Sequence, residues 1–179
     1  MFAAMMGVFE TLIVAAATRW FPAEPYTVSV VPAVTCIVMM RWGPWAGLHA
    51  VLGGLVFCLA SGAQPMHYAI YGVGNLLSLA ALGLIRALTP EGIRTGVMRS
   101  LLLAAAVTLL MQAGRAAVSL VFGAPVALAA GFFTTDVITL LFTLVLIWIV
   151  RRLDGVFEEQ RHYLLRIHRQ EKEEEKGGF

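Results

Sequence analysis

The sequence predicts an all-α integral membrane protein, one bundle of six transmembrane helices with both termini cytoplasmic. Three observations carry this. Of 179 residues, 59% are apolar and 13% charged, against about 45–50% and 25% in a soluble domain. The charges are unevenly placed. Seven of the 13 Lys and Arg residues follow Val150, and Glu10, Glu24, Glu91 and Asp136 are the only acids before Arg151. Finally, the apolar residues fall into runs separated by short breaks, long enough in total for six spans of roughly 20 residues. A soluble globular protein and a disordered chain are both excluded. The net charge of +2 comes from no concentrated basic stripe, so no nucleic-acid partner is expected.

The first segment runs roughly from residue 2 to residue 18 and stops at Arg19-Trp20, a charge beside an aromatic interface anchor. It lacks a basic leader and carries Glu10 within its apolar stretch, so it reads as a retained span and not as a signal peptide. Residues 21–26 hold Pro22 and Pro25 and form a loop. The second segment, about 27–40, contains Pro32. At ~1.5 Å per residue it covers about 21 Å, too little for a ~30 Å hydrocarbon core, and irregular backbone there needs protein around it. Arg41-Trp42-Gly43-Pro44-Trp45 makes a tight interfacial turn, with Pro44 placed to open the third segment, which ends near Leu59. After the Ser61–Pro65 loop, the fourth runs from about His67 to Ile85. Residues 86–99 form the substantial polar loop, with Pro90 and Gly92 as breakers. The fifth covers about 100–122, Gly123-Ala124-Pro125 turns the chain, and the sixth reaches Val150.

Loop charges set the orientation. With the N-terminus inside, Arg41, Arg86, Arg94, Arg99 and the seven basic residues of the tail are cytoplasmic, and Arg19 alone lies outside. That is a strong positive-inside signal, which an odd number of spans would destroy. Residues 1–152 are therefore the six-helix transmembrane domain. Residues 153–179 are a charged cytoplasmic helical extension of the sixth helix. Leu153, Val156, Gln160, Tyr163, Ile167 and Gln170 follow heptad spacing, but two of these positions are Gln, a marginal coiled-coil seam. The extension is either a solvated amphipathic helix near the headgroups or a rod that passes a signal.

Ionisable groups inside spans need partners or a function. Arg115 lies nine residues before Ala124 and Asp136 twelve after it, so at ~1.5 Å per residue the two sit at similar depth on adjacent helices. Gln112 falls at a comparable level. A structural ion pair and a charged pocket open to the outside are both compatible with that placement. Glu10 has no partner that counting can name. His67, Tyr71 and Asn75 recur at i, i+4 and i+8 and share a stripe on the fourth helix. Cys36 and Cys58 lie in apolar runs without metal-ligand spacing. No GxSxG, HExxH or P-loop occurs, so no enzymatic activity, cofactor or metal is expected.

The six-span chain, its short proline-bearing second segment and the stretch Arg41-Trp42-Gly43-Pro44-Trp45-Ala46-Gly47 resemble the substrate-binding S components of energy-coupling factor (ECF) transporters. There a similar FGPxAG stretch opens the third helix; here Trp42 stands for Phe, and Gly53-Gly54 supply the later glycines. The resemblance covers roughly residues 1–152. It implies a high-affinity binding subunit in the cell membrane for a vitamin or similar micronutrient. It also implies a transmembrane coupling subunit and two cytoplasmic ATPases as partners, with Ala3 and Gly7 on the face toward the coupling subunit. The implied pocket maps onto Glu24, Tyr26, His67, Tyr71, Asn75, Gln112, Arg115 and Asp136. The rival expectation is a membrane sensor or scaffold of the same fold with the C-terminal helix as output.

Overall fold

The structure, a computed structural model, describes residues 2–21, 27–153, 155–158 and 160–177. Among them there are helices and turns and no strand, and helices satisfy their own backbone polar groups within lipid. Helix α1 is Phe2–Trp20, α2 Val31–Trp42, α3 Ala46–Ala60, α4 Pro65–Gly74, α5 Ala81–Leu88, α6 Pro90–Thr95, α7 Val97–Val121, α8 Val126–Thr135, α9 Val137–Val150 and α10 Gln160–Gly177. Proline supplies several of the starts: Pro32, Pro65 and Pro90 each occupy the first turn of a helix, where the missing N–H costs nothing.

Five stretches are long and apolar enough to cross a bilayer: Ala3–Trp20, Val31–Ala60, Pro65–Leu88, Val97–Val121 and Val126–Val150. This is a multi-pass membrane protein. Its outer surface agrees, since Val8, Phe9, Leu12, Leu141, Val145 and Ile149 are exposed while the buried residues of α9 are Thr139, Thr143 and Ile147. On α9 apolar side chains face out while Thr139 and Thr143 face in, the arrangement lipid favours for polar groups. The Val31–Ala60 stretch is not one rod. It folds back at Gly43, where φ is +58°, so that the Val31 side chain lies directly on the Gly53 backbone. Helices α2 and α3 are thus an antiparallel hairpin, and α2 begins at the depth of the middle of α3.

The Pro65–Leu88 stretch is overwound into a 3₁₀ turn at Asn75–Ala80 between α4 and α5. It crosses α7 at Gly74 and Gly114, so closely that a Cβ on Gly114 would overlap the Gly74 carbonyl oxygen. Small residues permit such backbone contact. The largest core cluster joins α2, α7 and α9 through Val38, Met39, Leu103, Val107, Met111 and Ile147.

Two expectations need correction. The polar loop 86–99 contains a helix, α6, which Pro90 opens instead of breaking. The Thr89 hydroxyl caps it, accepting from the Gly92 N–H at 3.2 Å, and Ile93 is buried. The sixth helix does not continue into water. It ends at Val150, the chain turns through Gly155 at φ +72°, and Phe157 returns into the core cluster before α10 starts. The hairpin corner holds this return: Arg41 Nη1 donates to the Gly155 carbonyl at 2.5 Å, and Trp42 Nε1 donates to Gln160 Oε1. Tyr163 packs on Gly155, where any Cβ would strike its ring.

Candidate functional site

Helix α7 carries Arg115 to the centre of the bundle. Its Nη1 donates to Asp136 Oδ2 at 2.5 Å and its Nε to Asn75 Oδ1 at 2.8 Å. The Arg115 and Asp136 side chains are only 4% and 3% exposed. The guanidinium also lies 4.3 Å from the centroid of the Tyr71 ring, a favourable cation–π placement. Tyr71 stacks on Phe57 at 4.9 Å and meets Phe132 edge-on at 6.0 Å. Asn75 uses both ends of its amide, since its Nδ2 donates to the Ala50 carbonyl at 2.9 Å. The 3₁₀ turn beginning at Asn75 therefore ties α3 to the charged centre.

Asp136 sits at a break between α8 and α9, with φ −92° and ψ 9°. Into this break comes the non-helical segment, residues 27–29, that leads to α2. The Thr27 N–H donates to the Thr135 carbonyl at 3.0 Å, the Thr27 hydroxyl donates to Asp136 Oδ1, and the Thr139 hydroxyl donates to the Thr27 carbonyl at 2.9 Å. Three residues on, the Val30 N–H donates to Glu10 Oε2 at 2.8 Å. Glu10 is fully buried. Backbone without a helical ladder must find such partners inside a membrane protein, and here Thr135, Thr139 and Glu10 supply them, while Asp136 takes the Thr27 hydroxyl.

Above Tyr71 opens a cleft of about 360 Å³ between α4 and the α7–α8 corner, lined in part by Gln64, His67, Tyr71, Ser119, Phe132 and Thr135. The His67 Nδ1 atom is shielded there and has no partner among the described residues. The lining mixes aromatic faces with a few polar groups, the usual character of a small-molecule site. Tyr71 forms the shared wall between the cleft and the buried charges.

Of the residues singled out from the sequence, the structure brings Tyr71, Asn75 and Asp136 into contact with Arg115 and places His67 on the adjoining cleft. Gln112 is buried one turn below Arg115, with its Nε2 unpartnered. Glu24 and Tyr26 lie outside the described residues. Gly7 lies away from this site, on a groove of about 580 Å³ between α1 and α3 that is open and apolar apart from Thr11. Ala3, on the same helix, is half-buried. Sequence reasoning missed Thr27 and Thr139, because single threonines in apolar surroundings give no signal until the chain path is known. Among the described residues no group of three His, Cys, Asp or Glu side chains is placed to hold a metal. Compared with known protein families, with curated proteins and with solved structures, the chain matches none.

Proposed function

We propose that this protein is the solute-binding membrane subunit of an uptake system of the ECF kind, taking a vitamin-sized micronutrient into the cleft above Tyr71. The observation that carries the reading is the cleft itself. A site of about 360 Å³ with aromatic walls and the unpartnered His67 Nδ1 is backed by a buried Arg115–Asp136 pair. Charges are costly at that depth and are kept where they serve a site. The reading is capture of a solute by this cleft.

On this reading the bundle has six segments in the cell membrane, with α2 a short one entered through the Thr27–Val30 strap. Both termini are cytoplasmic and the cleft opens outward. A coupling subunit docks on the groove at Ala3 and Gly7, and two ATPases drive release of the solute inward. The expected experiment is native mass spectrometry of the purified chain, which should retain a stoichiometric small molecule. A Tyr71→Ala variant that remains folded should lose it. A wild-type chain that carries no solute and captures none from a micronutrient mixture would contradict the reading.

One observation favours a second reading, a membrane sensor. Arg41 and Trp42 tie the α2–α3 corner to the start of α10, a physical link between the bundle and its tail. A sensor would lose its output when residues 161–179 are removed, whereas uptake would largely survive.

A further inference from the structure

The end of the bundle away from the cleft carries an arrangement that solute capture does not use. Helix α9 runs out into Arg151 and Arg152. The Arg152 guanidinium lies 4.5 Å from the centroid of the Trp148 ring, and Trp148 faces outward. Arg151 keeps Nε and Nη1 shielded from solvent with no acceptor among the described residues. Shielded charged donors call for a charged acceptor.

The start of α10 is held at the same end. Gln160 accepts from Trp42, and the Gly155 carbonyl accepts from Arg41. Trp45, on the same corner, is exposed, and tryptophans in such positions mark the bilayer interface. Helix α10 thus begins at headgroup level. Its charges are segregated: Gln160–Gln170 contains Arg161, Arg166 and Arg169 and no acid, and Glu171, Glu173, Glu174 and Glu175 all follow. Within the basic half Leu164 and Leu165 are 56% and 59% exposed. Arg166 is paired with Glu158 at 2.9 Å, while Arg169 is exposed.

We propose that Arg151, Arg152 and the first three turns of α10 form a surface that binds the headgroups of an anionic phospholipid leaflet, with Leu164 and Leu165 at the acyl boundary. Charge complementarity selects this occupant, because the basic, leucine-bearing half is the one tethered at the interface. The exposed Arg152 guanidinium, beside Trp148, is the group placed to meet lipid phosphate oxygens. The acidic half is repelled by the same surface and projects into water. The inference rests on the membrane reading alone and is independent of which solute the cleft takes.

The test uses the full chain in nanodiscs of phosphatidylcholine alone or with one third phosphatidylglycerol. Leu165→Cys carries an environment-sensitive fluorophore, and Leu164→Cys serves as a second position. Cys36 and Cys58 are buried and stay unlabelled. With phosphatidylglycerol, emission at either position should shift to the blue and be quenched by spin-labelled lipid. Both effects should diminish in phosphatidylcholine alone and in an Arg151→Gln/Arg152→Gln background. The same fluorophore at Glu173→Cys should stay in water throughout. Iodide quenching without lipid quenching at both leucine positions would overturn the proposal. So would insertion that ignores phosphatidylglycerol and the two arginines.

Discussion

Arg115 donates to Asp136 at 2.5 Å and, on its other edge, to Asn75 at 2.8 Å, so one guanidinium joins three transmembrane stretches. Asp136 is engaged from the opposite side by Thr27. A buried ion pair is stable only when its remaining donors and acceptors are also used. Here the strap leading to α2 supplies the donor for the second Asp136 oxygen.

Asn75→Ala should remove two hydrogen bonds at once and leave the Arg115 Nε buried without an acceptor. The expected loss is about 1–3 kcal/mol, or more because the donor is charged. Thermal unfolding in detergent measures it. An unchanged midpoint would mean that the 3₁₀ turn does not depend on this amide.

At the α4–α7 crossing, Gly114→Ala should force the helices apart, because its Cβ overlaps the Gly74 carbonyl. Overpacking of this kind costs roughly 1–3 kcal/mol. Gly83, which has open space around it, is the control, and Gly83→Ala should be neutral or slightly stabilising. Thermal midpoints of the two variants should differ in that order.

Glu10 and the strap separate hydrogen bonding from charge. Glu10→Gln keeps a carbonyl acceptor for the Val30 N–H, whereas Glu10→Ala leaves that donor buried and unpaired. The alanine variant should be less stable than the glutamine variant by about 1–3 kcal/mol. Equal midpoints would show that the strap is held from the Asp136 side alone.

Much of this arrangement was legible in the sequence because it follows from arithmetic along helices. Counting from the Gly123–Pro125 turn placed Arg115 and Asp136 at one depth. The i, i+4, i+8 spacing put Tyr71 and Asn75 on one face. What counting could not reach was set by breaks in helices. The path of Thr27 depends on the interruption at Asp136, and the return of Phe157 into the core depends on the positive φ of Gly155. The tail showed a heptad-like pattern, but Tyr163 of that pattern packs on Gly155 and Gln160 on Trp42. These positions serve an intrachain contact and not a coiled-coil seam.

Topology can be read with single cysteines at the exposed positions Ser61 and Glu91. Ser61→Cys should label from outside the cell and Glu91→Cys only after permeabilisation. Labelling of both from outside would end the six-segment arrangement.

The central claim is that the cleft over Tyr71 binds a solute and depends on the charges behind it. Its most direct measurement is the dissociation constant of the captured solute for Arg115→Gln/Asp136→Asn, by titration calorimetry, beside the thermal midpoint of the same sample. The neutral pair can still hydrogen-bond, so the bundle should fold. Without the cation under its ring, Tyr71 should be poorly held, and affinity should fall tenfold or more, the equivalent of about 1.4 kcal/mol. Wild-type affinity in a well-folded double variant would contradict the account and leave Arg115 and Asp136 as structural residues only.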